Sequence, residues 1–233
     1  MICYQCGCNL SEHDFCTSCG ADVALYKKII YISNRFYNEG LERASVRDLT
    51  GAITSLRQSL KFNKNNVEAR NLLGLVYFET GEVVAALSEW VISKNYQDKD
   101  NSADRYLNDV QNNPSLLNTI NQTIKKYNQA LVYCHQDNTD LAVIQLKKII
   151  STNPKLVKAH QLLALLYIRD GKYDLAVKSL RLAEKTDHNN TITRRYLEEI
   201  NVRSGAKADK GRKIRKKETT VEYQNGNETI IPP

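Results

Sequence analysis

The chain has 233 residues, 42% hydrophobic and 25% charged, which suffices for one core or for a continuous core along an array of repeats. Its net charge is +7, of which residues 203–218 supply +6 through eight Lys/Arg against Asp209 and Glu218. Because this excess lies in one segment, it does not indicate a nucleic-acid-binding surface on the fold. With neither a run of about 18 apolar residues nor the pattern of a secretory signal peptide, the chain is predicted to be soluble and cytoplasmic.

Two Cys-x2-Cys pairs, Cys3/Cys6 and Cys16/Cys19, open the chain. In a reducing compartment, such pairs indicate a metal site rather than disulfides, and each pair can present two thiolates to a tetrahedral ion. We predict one structural Zn²⁺ held by these four cysteines. Four thiolates close the coordination shell and leave no position for a catalytic water.

Details around the four cysteines support the same interpretation. Gly7 and Gly20 follow the second cysteine of each pair, where a positive φ is useful, and Phe15 is expected to supply the apolar contact of the module. Cys8 and His13 lie close enough to substitute as ligands, but Cys8 is more simply a spare exposed thiol. Residues 1–21 resemble the short zinc ribbon found at the N-termini of many bacterial proteins.

A helix is expected next, over residues 22–32, capped by Asp22 and continuing into the first repeat. Residues 33–190 then show a period of 34, which marks a repeat architecture. Residues 66–77 and 156–167 align with apolar, small and aromatic residues in the same places, and each is followed by glycine at one offset, Gly81 and Gly171. The pattern predicts four helix–turn–helix units.

Small and large residues recur at fixed positions of these units. The first helices carry Gly74, Ala130 and Ala164 where the second helix is expected to approach, and the second helices carry Ala86, Ala142 and Ala176 opposite them. Trp90, Leu146 and Leu180 are expected to fill the space between repeats. Gly40, Ala52 and Leu56 occupy the matching positions of the first unit, in which Arg43 stands at the aromatic position.

These positions resemble the tetratricopeptide repeat (TPR), which has a small residue at position 8, an aromatic at 11, alanine at 20 and a large apolar residue at 24. The resemblance implies an all-α solenoid of about four repeats, residues 33–100 and 123–190, plus a capping helix. It also implies a non-enzymatic scaffold that binds a peptide or helix of a partner protein in a groove. The groove residues carried over from the family pattern are Tyr37, Asn71, Phe78, Tyr127, His135, Gln161 and Arg169.

Residues 101–122 interrupt the period between the second and third units. Ser102 is predicted to cap a helix there, and Pro114 suits the first turn of another. Leu116, Ile120, Ile124 and Leu131 share a stripe, which predicts that the helix from Pro114 runs unbroken into the third repeat and that the array bends or splays.

The end of the chain changes character. Residues 191–202 are amphipathic at helical spacing and are predicted to cap the last repeat. Residues 203–233 contain too little apolar material to fold and are predicted to be a disordered tail. A basic cluster in this tail leaves open two alternatives, weak attachment to nucleic acid or to an anionic membrane; its members are Lys210, Arg212, Lys213, Arg215, Lys216 and Lys217.

No other motif in the sequence indicates catalysis. A phosphate-binding loop, a dinucleotide-binding glycine motif and a His-Glu-x-x-His zinc motif are all lacking. The sequence therefore predicts neither enzymatic activity nor a small-molecule substrate.

Overall fold

The computed structural model describes residues 1–204, most of which are helical. Residues 1–23 form a small module with two isolated antiparallel bridges, Ile2 to Asn9 and Phe15 to Asp22. The helices that follow are α1 (Ala24–Ser45), α2 (Leu49–Phe62), α3 (Val67–Glu79), α4 (Val83–Tyr96), α5 (Ser102–Gln111), α6 (Pro114–His135), α7 (Thr139–Thr152), α8 (Val157–Arg169) and α9 (Tyr173–Thr186). A further helical segment, α10, covers 191–204.

Several helices begin at side-chain caps. The N-cap side chains of Asp48, Asn66, Asn101 and Asn113 each accept a hydrogen bond from a first-turn amide. Pro114 occupies the first turn of α6, as predicted. The predicted cap at Ser102 is wrong, because the longer reach of the Asn101 side chain brings its oxygen to the Ala103 amide and Ser102 becomes the first helical residue.

The start of α1 also differs from the prediction. Its N-cap position is Val23, which has no capping side chain, and α1 begins at Ala24. The Asp22 carboxylate accepts a hydrogen bond from the Ala24 amide at 3.0 Å, one residue ahead of the helix cap. α1 then continues without a break to Ser45, so the predicted joining helix and the first repeat helix are one element.

Within each helical hairpin, small residues allow close approach of the paired helix. A methyl group at Gly74 would overlap the Trp90 indole, and one at Gly40 would lie 2.7 Å from Leu56 Cγ. The 34-residue period predicted buried alanines at two positions of each unit and a buried large residue after the second. The structure confirms these positions. The buried residues are Ala52, Leu56, Ala86, Trp90, Ala130, Ala142, Leu146, Ala164, Ala176 and Leu180.

The apolar core of the helical array consists of two clusters that meet along α6. Leu116, Ile120 and Ile124 pack into the first cluster with α2 to α5. Tyr127 and Ala130, further along the same helix, pack into the second cluster with α7 to α10. The continuous helix predicted from Pro114 is therefore present and joins the two pairs of repeats.

The predicted stripe on α6 is not buried along its whole length. Leu131 lies on the same face as Ile124, seven residues earlier in the helix, but is 36% exposed. Ala130 is fully buried at the adjacent position, where its small side chain lets α7 approach.

The chain folds back on itself after α6, so that the second pair of repeats packs against the first. The His188 amide donates to the Arg47 carbonyl at 3.0 Å, and the Val157 amide donates to the Thr80 carbonyl at 3.4 Å. The first contact joins the α1–α2 turn to the loop after α9, and the second joins the α3–α4 turn to the first residue of α8. The sequence predicted a bend here, and the structure shows a closed arrangement.

The Asp187 carboxylate accepts four hydrogen bonds at this junction. Its side chain is almost fully buried and accepts hydrogen bonds from the Leu49 amide at 2.9 Å and from the Thr50 amide at 3.2 Å. The Thr50 hydroxyl and the Asn190 amide group donate to its second oxygen at 2.6 and 2.9 Å. A carboxylate 138 residues away thus caps the N-terminus of α2.

α10 completes the described part of the chain. Ile200 is buried in the second cluster, with Tyr196 and Leu197 packed beside it. Residues 203 and 204 are still helical, so the predicted boundary at 202 is two residues too early. The predicted disordered tail from residue 205 onward lies outside the described residues. Among the helices within 1–204, none combines the length and apolarity needed to cross a membrane.

We expect Asp187→Ala to lower the free energy of unfolding by about 2–4 kcal/mol, because several buried donors lose their acceptor together. Asp48→Ala is the matched control: it removes the local cap of the same helix and should cost about 1 kcal/mol. Urea denaturation of both variants measures the difference. An equal loss of unfolding free energy in the two variants would contradict the stabilising role of Asp187 at the junction.

Candidate functional site

The four predicted metal ligands come together at one point of the N-terminal module. The Sγ atoms of Cys3, Cys6, Cys16 and Cys19 all lie within 4.8 Å of one another. Cys3 Sγ is 3.8 Å from Cys19 Sγ, and Cys6 Sγ is 3.6 Å from Cys16 Sγ. All six cysteines of the chain lie within the described residues, and none forms a disulfide.

The two knuckles have the same backbone hydrogen bonds, displaced by 13 residues. The Cys3 amide donates to the Cys8 carbonyl, and the Cys16 amide donates to the Ala21 carbonyl, both at 2.8 Å. Gly7 and Gly20, with φ of 74° and 72°, close the two turns. The 13-residue displacement could be found in the sequence by aligning residues 1–10 with 14–23.

Backbone amides favour the thiolate form of one cysteine in each knuckle. Hydrogen bonds from the amides of Ser18 and Cys19 lower the pKa of Cys16 to about 6. Those from the Cys6 and Gln5 amides lower the pKa of Cys3. The loops are therefore arranged to stabilise negative charge on sulfur, as metal-binding thiolates require.

The cluster fits a tetrahedral ion. Zn–S bonds near 2.3 Å place the sulfurs of a regular tetrahedron about 3.8 Å apart, which matches the Cys3–Cys19 and Cys6–Cys16 separations of 3.8 and 3.6 Å. Four sulfurs would complete the coordination shell, so the chemistry such an ion supplies here is structural cross-linking. Cys8 is exposed, and His13 stacks on the Phe15 ring at 5.3 Å, so both lie outside the cluster.

The apolar contact of the module is not the one predicted. Phe15 is 53% exposed, whereas Val23 is fully buried and packs with Cys3, Cys16, Leu10 and Ala21. Phe15 lies in the antiparallel bridge opposite Asp22, and its ring stacks on that of His13.

Lys27 of α1 attaches the module to the array. Its ammonium donates to the Ser11 carbonyl and, at 2.6 Å, to the His13 carbonyl. These carbonyls belong to the segment between the two knuckles, so the segment is held against α1.

A second feature is a cleft of about 670 Å³ at the junction of the two pairs of repeats. α6 forms one wall, the end of α3 and the start of α4 form another, and the α7–α8 loop forms the third. Apolar side chains dominate the lining, and hydroxyl and amide groups are distributed among them; the lining includes Phe78, Val84, Leu116, Ile120, Thr123 and Tyr127.

The charged groups at the mouth of the cleft are paired. Lys158 Nζ lies 2.6 Å from Glu82 Oε2, and Lys155 Nζ lies 3.0 Å from Glu79 Oε1. The first pair joins the start of α8 to the α3–α4 turn, and the second joins the α7–α8 loop to the end of α3. The cleft therefore presents neutral polar groups and apolar surface to a ligand.

The structure brings two of the seven predicted groove residues together. Phe78 and Tyr127 line the cleft from opposite walls. Tyr37 is half-buried against the first cluster. His135 is exposed, and Arg169 pairs with Asp137 at 2.8 Å; neither lines the cleft.

The assignments of Asn71 and Gln161 to an open groove are wrong. Asn71 is buried and its amide group donates to Asn101 Oδ1 at 2.8 Å, because α5 covers that face of the second repeat. Gln161 is buried and donates to Asn190 and Thr193, because α10 covers the fourth repeat in the same way. Both side chains join repeats to the helices that cap them.

The sequence did not predict that the other lining residues would form a cleft. Leu116, Ile120 and Ile124 were identified as an apolar stripe, and that stripe does face the cleft. No signal in the sequence predicted that Val83 and Val84 of α4 would lie opposite. The basic cluster of residues 210–217 lies outside the described residues, and its role stays a prediction.

Comparison with known families supports the repeat assignment. Residues 48–81 match a model described as TPR repeat, and residues 157–190 match one described as tetratricopeptide repeat. The first match spans α2 and α3, and the second spans α8 and α9. No curated protein matches the chain.

Several solved structures align with this chain at low identity. A chain of the APC/C hetero-tetramer Cut9–Hcn1 aligns at 15% identity over 71% of this chain and 29% of its own length, with a TM-score of 0.32. MamA aligns at 22% identity over 71% and 86% of the two chains, with a TM-score of 0.29. YrrB, described as a TPR protein with an unusual peptide-binding site, aligns at 14% identity over 70% and 90%, with a TM-score of 0.32. Since these TM-scores are low, the fold assignment rests on the helix pairing described above.

Elemental analysis should find one metal ion per chain in protein purified under reducing conditions. We expect Cys16→Ser to release the ion, because it removes a buried thiolate whose pKa the loop amides lower. Cys8→Ser is the matched control and should retain the ion. Metal-free wild-type protein, or loss of the ion from both variants alike, would refute the four-cysteine site.

His160 supports the loop that forms the third wall of the cleft. It is buried in α8, and its Nε2 lies 2.9 Å from the Pro154 carbonyl in that loop. Burial lowers the pKa of His160. The His160 imidazole therefore takes up a proton at a higher pH in the unfolded chain than in the folded chain. The contribution of neutral His160 is therefore complete above about pH 6.5 and decreases as the pH falls through that value.

We expect His160→Gln to be less stable than the wild type at pH 7.5 and the difference to shrink at pH 5. Glutamine keeps a donor for the Pro154 carbonyl but takes up no proton. Thermal unfolding of both proteins at the two pH values measures this change, and His135→Gln, at an exposed position, should track the wild type. A difference that stays constant between the two pH values would contradict the assignment.

Proposed function

We propose that this chain is a protein–protein interaction scaffold that binds a segment of a partner in the junction cleft, while a structural Zn²⁺ in the four-cysteine module holds the N-terminus together. The observation that supports the proposal is the meeting of Phe78 and Tyr127 in one cleft of about 670 Å³. They come from different pairs of repeats and are 49 positions apart in the sequence. The fold-back turns two separate groove positions into a single binding surface.

The properties of the cleft suit a binding site better than a packing defect. Val84, at its mouth, is 59% exposed, and apolar surface left open on a folded protein commonly marks a place of interaction. The volume lies within the range of about 300–1,000 Å³ in which ligands are held. The paired lysines leave apolar contact as the main source of affinity.

Zinc is the metal that best suits the module. Thiolate ligands in a tetrahedral arrangement select Zn²⁺ or iron–sulfur chemistry, and the two cysteine pairs of 3.6 and 3.8 Å suit a single small ion. The ion would staple 23 residues whose buried apolar side chain is Val23. The proposed compartment is the cytoplasm, where free thiolates persist.

Photo-crosslinking in the source cells tests the cleft directly. With p-benzoylphenylalanine in place of Val84, we expect a covalent adduct with one partner protein, because this side chain lies at the mouth of the cleft. The same amino acid in place of Val91 is the matched control, since Val91 is exposed to a similar degree on α4 and does not line the cleft.

A second change separates specific from accidental adducts. Tyr127→Ala, added to the Val84 probe, should reduce the yield of the adduct several-fold because it removes an aromatic contact inside the cleft. Equal adduct yields at Val84 and Val91 would refute partner binding in the cleft. A yield at Val84 that Tyr127→Ala does not change would refute it too.

A further inference from the structure

We infer that the outer groove of the first repeat, between α1 and α2, binds an amphipathic helix of a partner protein whose apolar stripe is flanked by acidic side chains. This surface is separate from the junction cleft and goes beyond the proposed function. Three observations carry the inference: an apolar strip on α1 outside the core, an end of the array that the described helices leave uncovered, and unpaired cations along the rim of the groove.

The apolar strip runs along the first half of α1. Its members lie within about 60° of one another around the helix axis; they are Leu25, Ile29, Ile32 and Phe36. None of them belongs to the apolar clusters of residues 1–204. Leu25 is 70% exposed, and the other three are half-buried. Their spacing of 4, 3 and 4 residues is that of a seam between two helices.

α2 supplies the other wall of the groove. Phe62 is 44% exposed and stacks on Phe36, with the ring centroids 5.7 Å apart. Beyond this pair, toward the α1–α2 turn, both helices line a cavity of about 390 Å³, into which α2 contributes Thr54, Ser55 and Gln58. From Leu25 to Phe36 the strip is about 17 Å long, which matches three turns of a bound helix.

The four-cysteine module leaves the strip uncovered, because it contacts α1 on other sides. Tyr4 packs on Tyr26 with ring centroids 5.5 Å apart, and Lys27 donates to carbonyls of the inter-knuckle segment. Successive residues of a helix point about 100° apart, so Tyr26 and Lys27 face about 100° and 200° away from Leu25. The strip is therefore open to a partner.

The first repeat also lacks the covering helix that other repeats have. α5 covers the second repeat through Asn71 and Asn101, and α10 covers the fourth through Gln161. Repeat arrays need such caps because a terminal repeat otherwise exposes an apolar face. The residues before α1 form the four-cysteine module and not a helix. A helix is thus the element that suits this end of the array.

The rim of the groove is basic on both sides. Lys28 and Arg35 flank the strip on α1, and Lys61 lies on the same side of α2 as Thr54, seven residues earlier, which lines the cavity. The three cations are exposed, and none forms an ion pair with residues 1–204. Residues 28–36 and 57–64 contain no acidic side chain. Acidic residues on both sides of a partner's apolar stripe would complement this rim.

The same charges disfavour occupants that this chain could supply. A second copy would bring Lys28 and Arg35 of one strip against those of the other, and like charges oppose such a contact. Residues 210–217 carry six Lys/Arg and no acidic residue, so they do not complement the rim. Residues 218–233 are acidic, but Gly226 and the prolines at 232 and 233 leave no stretch suited to three turns of amphipathic helix.

Selection from a displayed library of amphipathic helices tests the inference on the full-length, zinc-loaded protein. The library fixes leucine at the seam positions and varies the flanking positions among glutamate, lysine, glutamine and serine. Selected helices are synthesised with a fluorescent label, and their dissociation constants are measured by fluorescence anisotropy. We expect glutamate to dominate the flanking positions of the selected helices.

Substitutions in the groove then locate the bound helix. Ile32→Asp places a charge in the strip and should weaken binding at least about tenfold. Arg35→Glu combined with Lys61→Glu reverses the rim at exposed positions, so it should preserve thermal stability and weaken glutamate-flanked helices about tenfold. Lys148→Glu combined with Lys178→Glu is the matched control on α7 and α9, where both lysines are exposed, and should change the affinity less than about twofold.

The remaining outcomes would each overturn the inference. They are a failure to select any helix, selected helices that neither Ile32→Asp nor the rim reversal weakens, and helices that Tyr127→Ala displaces, which would belong to the junction cleft. A synthetic peptide of residues 218–233 that binds as tightly as the selected helices would assign the groove to this chain's own segment. Vesicles of equal parts phosphatidylcholine and phosphatidylserine that bind the wild type but not Ile32→Asp would assign the strip to a membrane.

Discussion

The close approach of the α3–α4 turn to the α7–α8 loop is the contact on which the rest of the structure depends. Gly81, with a φ of 78°, lies so near the loop that an added Cβ would stand 2.7 Å from Leu156 Cα. Backbone therefore packs on backbone, and the Thr80 carbonyl accepts from the Val157 amide. This contact fixes the angle between the two pairs of repeats, and it turns the exposed ends of α3 and α4 into one wall of a cleft.

The four-cysteine module and the repeat array differ in how they are stabilised, and one helix joins them. The module has a single fully buried aliphatic side chain, Val23, beside its sulfurs, and the proposed ion would supply the stability that so little apolar burial does not. The array is stabilised by two apolar clusters and by the hydrogen bonds of Asp187. Because α1 belongs to both parts, and Lys27 fastens the inter-knuckle segment to it, loss of metal is expected to loosen the module without unfolding the array.

The sequence predicted what is local and periodic. The 34-residue period located the buried small and large residues, because these residues contact one another within one hairpin or between neighbouring hairpins. The clustering of the four cysteines was predictable for the same reason, because the short spacing within each Cys-x2-Cys pair places both sulfurs on one turn. The fold-back was not predictable, because it depends on single pairs such as Thr50 with Asp187, 137 residues apart, that repeat nowhere. Asn71 and Gln161 were misassigned because the positions a TPR groove leaves open are covered here by α5 and α10.

Zero-length carbodiimide crosslinking of the unmodified protein, followed by mass spectrometry of the monomer, tests the fold-back most directly. Lys158 and Glu82 lie 2.6 Å apart although 76 residues separate them, and Lys94 with Asp104, also at 2.6 Å, is a local pair for comparison. The closed arrangement predicts both crosslinks, together with the one between Lys155 and Glu79. Recovery of the Lys94–Asp104 crosslink without either of the long-range ones would contradict the fold-back and the cleft that depends on it.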